Sequence, residues 1–270
     1  MNVQVETVKK DGFEMDYCRF GQGGRNLVII PGLSVQSVMP LAEAIADAYK
    51  ELAEDFTVYV FDRRKELPVG YRISDAARDT ADAINELKLG EVDLFGTSQG
   101  GMIALKITID HPELIHKLVI GSSAPVISDE IFSCFEEWRR LAEEGDAEKL
   151  YLSFGERVYT REVFDQLRQM FINSSAAVKP EELARFVILI DAMRGLDLTA
   201  ELAGIKCPVL VIGSEDDMVL GVEGSRQIYE GIKNNSGSEL YIYNGYGHAA
   251  YDCAPDYKTR IHRFLSVAEV

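Results

Sequence analysis

A doubly wound α/β architecture, with a mostly parallel sheet of about eight strands and one inserted helical segment, is the fold class this sequence predicts. Three observations predict it. Short, almost wholly apolar runs at residues 26–30, 57–61, 92–95, 117–121, 208–212 and 240–243 alternate with stretches of helical period. Strands buried on both faces of a parallel sheet need apolar side chains in both directions, and the intervening helices supply the crossovers. At the start, residues 3–8 and 13–20 instead alternate apolar with polar around Lys10-Asp11-Gly12, the pattern of an antiparallel hairpin at a sheet edge. Between Ala124 and Lys206 the strand–helix alternation stops, and the chain becomes charged and helical in period.

Each element follows in order. Gln22-Gly23-Gly24-Arg25 turns the chain into its first buried strand, which ends at Pro31-Gly32-Leu33-Ser34. An Ala-rich helix over 40–52 is expected to bury Leu41, Ile45 and Tyr49. The next strand ends in Asp62-Arg63-Arg64, and Ser74-Asp75 reads as the start of a helix reaching Leu87. Past the strand at 92–95, a helix runs on through Asp110 until His111-Pro112 stops it. Helices are expected near 222–232 and over 255–267. An insertion between two strands of such a sheet lies over the crevice in which ligands bind. The expected division is therefore a core of residues 1–123 and 207–270 and a helical cap of residues 124–206.

Composition narrows the function classes. A chain of 270 residues with 47% apolar content can bury one large core. A net charge of −16 argues against nucleic acid and against anionic membrane surfaces. No run is long enough to span a bilayer, and the N-terminal residues lack a signal-peptide core. Cys18, Cys134, Cys207 and Cys253 lie far apart, which suggests neither a zinc site nor a disulfide framework. The expectation is a cytoplasmic protein without metal or cofactor, monomer or homodimer, whose partner is a small molecule.

The chemistry concentrates at Val92-Asp93-Leu94-Phe95-Gly96-Thr97-Ser98-Gln99-Gly100-Gly101. A strand that reverses into a helix within one residue forces that residue to a positive φ, and the turn closes only if the flanking positions lack side chains. Gly96 and Gly100 meet that need in the pattern G-x-S-x-G, and Gly101 gives the new helix room on the sheet. Ser98 at the apex is the candidate nucleophile, at the positive end of a helix whose first N–H, from Gln99, faces any oxyanion formed there.

A serine hydroxyl needs a general base, itself oriented by a carboxylate. Of the histidines, His111 ends a helix, His116 precedes a strand on the opposite edge, and His262 lies within the last helix among arginines. His248 follows Tyr243-Asn244-Gly245-Tyr246-Gly247, just beyond the last strand on the edge that carries Ser98, and is the candidate base. Gly213-Ser214-Glu215-Asp216-Asp217 also follows a strand end and offers three adjacent acids, which this reading leaves open. The chain order serine, acid, histidine is that of one large group of hydrolases.

These motifs resemble the α/β-hydrolase family, over residues 26–265 apart from the cap, and among its members the small capped serine hydrolases: carboxylesterases, enol-lactone hydrolases and perhydrolase-like relatives. The resemblance implies Asp216 as the acid, three residues after the glycine taken to end its strand. It also implies the backbone N–H of Leu33 as the second oxyanion donor, with Pro31 standing where the family usually has histidine. A serine apex is unlike the dehalogenase and epoxide hydrolase branches. The expected function is hydrolysis of a small ester, lactone or related acyl bond through an acyl-enzyme by Ser98, Asp216 and His248, in a modest apolar pocket. Carbon–carbon cleavage of a diketone, amide or peptide hydrolysis by the same residues, and a non-catalytic ligand-binding receptor are the alternatives. The first would call for positive groups near Ser98, and none of the cap arginines can be placed there from sequence.

Overall fold

The computed structural model describes residues 2–267; Met1 and residues 268–270 of the expected core lie outside them. β1 (Gln4–Lys10) and β2 (Phe13–Phe20) form the opening antiparallel hairpin, turned by Gly12 at φ 96°. β3 (Arg25–Ile30) leads through α1 (Ala42–Ala48) to β4 (Phe56–Arg64), and α2 (Ile73–Glu86) leads to β5 (Val92–Thr97). α3 (Gln99–Asp110) and β6 (Ile115–Gly121) follow. After four further helices come β7 (Val209–Ser214) and β8 (Glu239–Tyr243). Among the described residues these strands form one eight-stranded sheet, ordered β1-β2-β4-β3-β5-β6-β7-β8, parallel from β4 onward.

Side-chain alternation along the strands builds two cores. Val28, Ile30, Leu94, Leu118, Ile120 and Val211 face one side, where Met102, Ile103 and Ile84 of α3 and α2 cover them. Leu27, Ile29, Phe95, Val119, Leu210 and Ile212 face the other, toward Ala42 and Ala46 of α1. That α1 face matches the expected one in part. Ile45 and Tyr49 are half-buried against this core beside the two alanines, with the Tyr49 ring 6.3 Å from that of Phe95, whereas Leu41 turns outward and is 59% exposed. The expected last helix, over 255–267, is seen as Tyr257–Ser266, and a short unforeseen helix precedes it. Pro255 forces Ala254 into an extended conformation, which separates the short helix Ala250–Cys253 from Tyr257–Ser266.

The four helices between β6 and β7 are α4 (Asp129–Glu143), α5 (Ala147–Val158), α6 (Arg161–Ser175) and α7 (Pro180–Asp191). Ser128 caps α4 by accepting from the Ile131 N–H, and Pro180 opens α7 at a position that needs no donor. The chain enters and leaves this segment side by side: Ile127 N–H donates to Leu196 and Leu198 N–H to Pro125, at 2.9 and 2.8 Å. Phe132, Phe135 and Trp138 are buried in it, with Phe135 and Trp138 edge to face at 5.4 Å.

The α3 N-terminus approaches the ends of β3 and β5 backbone to backbone. A Cβ on Gly96 would stand 2.3 Å from the Gly100 carbonyl oxygen, and one on Gly100 would stand 2.0 Å from that of Ile30. No rotamer relieves a clash with backbone. Gly100→Ala is therefore expected to lower unfolding free energy in urea by about 3 kcal/mol, the upper range for overpacking. A loss below about 1 kcal/mol would show that the elbow does not depend on this contact.

Candidate active site

Ser98 stands between β5 and α3 with φ 53° and ψ −123°, a conformation that costs energy for a residue bearing a Cβ and is held by the surrounding bonds. Its N–H donates to Gly121 of β6 at 2.8 Å, and its carbonyl accepts from the Ser123 hydroxyl at 2.8 Å and from Gly101 N–H at 2.9 Å. The side chain thereby leaves the sheet edge at the N-terminus of α3, whose first N–H groups have no acceptor within the helix. The loop after β3 lies directly against it: a Cβ on Gly32 would be 3.2 Å from the Ser98 Cβ. Leu33 and Gln99, the two expected oxyanion donors, thus belong to segments that meet at Ser98.

Past β8, the Nδ1 of His248 lies 2.8 Å from the carboxylate of Asp217, with both side chains almost wholly buried. The expected partner was Asp216, and the structure corrects this. Asp216 is exposed and accepts from the Gly245 N–H; Glu215 is exposed and pairs with Arg226 at 2.8 Å. The reason lies in β7. The strand does not end at Gly213 but runs one residue further, Ser214 pairing with Tyr243 and Glu215 N–H still donating to the Tyr243 carbonyl at 2.8 Å. Counting from Gly213 therefore falls one residue short of the acid that turns inward.

Asp217 is held at both ends. Its other oxygen accepts from the N–H groups of Val219 and Leu220 at 2.8 and 3.0 Å. Burial by itself would raise this carboxyl, but the His248 charge, its hydrogen bond and the two backbone donors outweigh burial and hold it below the usual carboxylate range. An Asp217 that stays ionised fixes the imidazole with its Nδ1 proton inward, leaving Nε2 as the free acceptor.

The other histidines are engaged away from this edge. His116 is 2.8 Å from Asp93, His262 is 2.7 Å from Asp55, and His111 is 3.5 Å from Glu113.

The inserted helices supply contacts that the sequence reading did not foresee. Ala249 N–H, next to His248, donates to the Val158 carbonyl at the end of α5, and the Gln99 amide nitrogen donates to the Leu189 carbonyl of α7, at 3.0 and 2.7 Å. Behind Gln99 lies a buried cation. Arg63 is 5% exposed, and burial, opposed by the Asp62 carboxylate, lowers its guanidinium to about 10, so it remains charged at neutral pH. The available signal was that Asp62-Arg63-Arg64 closes a strand on the edge that carries Ser98. Beside Leu33, between residues 33–41 and helices α5 and α6, opens a cavity of about 350 Å³. Val35, Val38, Phe154 and Phe171 wall it, with Gln36 and Glu182 among its polar groups.

A profile described as the alpha/beta hydrolase family matches residues 27–256 of this chain. RutD of Pantoea ananatis, named as a carbamate hydrolase, is 26% identical over 218 residues, covering 76% of each chain. The human serine hydrolase BPHL is 24% identical over 250 residues, 89% of this chain and 79% of its own. Among solved structures, an alpha/beta hydrolase enzyme from a Medee basin deep-sea metagenome library superposes with a TM-score of 0.86 at 16% identity, over 98% of both chains. The enol-lactonase of Burkholderia xenovorans superposes with a TM-score of 0.79 at 18% identity, over 97% of this chain and all of its own.

The two aspartates separate cleanly by experiment. Asp217→Asn is expected to slow acylation of Ser98 by an activated ester about 10,000-fold, the cost of losing the correct tautomer. Asp216→Asn should stay within about threefold of wild type, the effect of an exposed loop contact. Stopped-flow release of the leaving group measures both, and the reverse ranking would return the role to Asp216.

Proposed function

The chain belongs to the alpha/beta hydrolase family, and from that premise we propose that it is a serine hydrolase cleaving a carboxylic ester, lactone or related acyl bond of a small molecule. One observation carries the reading: a strained, buried serine and a buried histidine–aspartate pair stand on the same sheet edge. In the proposed mechanism His248 Nε2 takes the Ser98 hydroxyl proton as the oxygen attacks the substrate carbonyl. The N–H groups of Gln99 and Leu33 receive the oxyanion, and Asp217 stabilises the imidazolium. Collapse passes the proton from His248 to the leaving oxygen and leaves an acyl-Ser98. A water deprotonated by His248 then releases the acid and restores the serine.

The charges around the edge favour a neutral substrate over an acidic one. Arg139, Arg140, Arg157, Arg161, Arg168, Arg185 and Arg194 of the inserted segment each pair with a carboxylate. Acidic diketones would need one of these cations free. The relatives, named for enol-lactone, ester and carbamate chemistry, support hydrolysis at an acyl carbon. We further propose that α4 to α7 act as a cap, and that the 350 Å³ cavity beside Leu33 takes the acyl or alcohol part of a short substrate.

Labelling with a fluorophosphonate followed by intact mass tests the reading. One adduct is expected on wild type and none on Ser98→Ala, while Ser98→Ala and His248→Ala each reduce turnover of a short neutral ester by about a millionfold. A folded wild type that takes no adduct, or that turns over only long-chain acyl or polymeric substrates, would overturn it.

A further inference from the structure

A guanidinium is an expensive group to bury, and a buried ion pair can often be replaced by apolar side chains without loss of stability. Arg63 is nonetheless buried at the end of β4, with its Nε unpartnered and its Nη2 directed at two acceptors. The first is the carbonyl of Pro31, at 2.7 Å; the second is the side-chain oxygen of Gln99, at 3.3 Å. Both belong to the segments that carry the oxyanion donors. Pro31 lies two residues before Leu33, and Gln99 is itself the other donor. The Pro31 carbonyl has little freedom on its remaining side, because a Cβ on Gly100 would stand 2.4 Å from it.

The same cluster continues into the inserted segment through a single face of α7. Leu189 accepts from the Gln99 amide, and Arg185, one turn earlier, reaches the Asp62 carboxylate and the carbonyls of Arg63 and Arg64 at 3.2–3.4 Å. Asp62 in turn accepts from the Arg63 N–H at 2.6 Å. Arg63 thus joins the two oxyanion segments to each other, and α7 braces both Arg63 and Gln99 from above.

We propose that Arg63 is a positioning residue for the oxyanion hole: by holding the Pro31 carbonyl and the Gln99 side chain at once, it sets the spacing of the Leu33 and Gln99 N–H groups. The proposal rests on the serine hydrolase reading above. A donor displaced by a fraction of an ångström weakens binding of the tetrahedral oxyanion much more than binding of the ground-state carbonyl. Loss of Arg63 is therefore read in kcat, while KM stays nearly constant.

The test uses the full chain with a short neutral ester and with a phenylboronic acid, whose adduct on Ser98 places an oxygen in the oxyanion hole. Arg63→Met is expected to lower kcat about tenfold to a hundredfold, the scale of a small misplacement, with KM within threefold and the boronic acid Ki raised in parallel. Arg63→Lys, which reaches only one acceptor at a time, should recover part of both. Gln99→Met keeps the backbone donor and the buried charge but cuts the link, so it carries the test if Arg63→Met does not fold. It should lower kcat and boronic acid affinity together, and in a folded double mutant the losses should be less than additive. Loss of kcat without loss of boronic acid affinity, or a rise in KM alone, would overturn the proposal. A wild type that takes neither ester nor boronic acid removes the Ser98 reading and this proposal with it. A wild type that takes both, with the variants unchanged, removes the proposal alone.

Discussion

Two peptide segments approach each other here more closely than any side chain would allow, and the edge that carries Ser98 depends on that approach. The N-terminus of α3 lies against the last peptides of β3 because Gly96 and Gly100 present no Cβ there. Ser98 is consequently driven to φ 53°, and its backbone is pinned by Gly121, Ser123 and the first turn of α3. Strain at one residue persists only when its surroundings over-determine it. Here those surroundings are the buried ends of three parallel strands. Lifting Ser98 off the strand, setting a helix N-terminus beside it and bringing the Gly32–Leu33 loop alongside are one geometric event.

The fold was legible in the sequence because its two signals are strong and independent. Buried parallel strands demand unbroken apolar runs, and the reversal at Ser98 demands glycine on either side. The histidine was legible by position, since a residue just past a strand end can only lie on one edge. The acid was not. Glu215, Asp216 and Asp217 are chemically equivalent as letters, and what separates them is one more rung of β7, at Ser214, that no side chain announces. In α1 the helical period identified the face, with Ile45 and Tyr49 against the core beside Ala42 and Ala46, and missed only that Leu41, just before the helix, stays at the surface.

Arg63 and Arg185 illustrate a further limit. Charged residues at a strand end read as solvated loop, and here a charged triplet turns inward because Asp62 and α7 are present to meet it. Long-range partners such as Arg185 with Asp62 are set by how the inserted helices settle on the edge, and local pattern carries no trace of that. The chain is strongly acidic overall, and each arginine of the inserted helices is paired with a carboxylate.

The two backbone carbonyls that α5 and α7 lend to the edge bear on how this enzyme can be recombined. Val158 accepts from the Ala249 N–H beside His248, and Leu189 accepts from the side-chain amide of Gln99 beside Ser98. An insertion exchanged wholesale for that of a relative would leave both donors buried without acceptors, at about 1–3 kcal/mol each. An exchanged segment leaves this edge intact only if it places a carbonyl at each of those two points. The inserted helices, though contiguous in sequence, are thus part of the frame that holds the residues beside Ser98 and His248, and α5 and α7 belong to that frame as much as the sheet does.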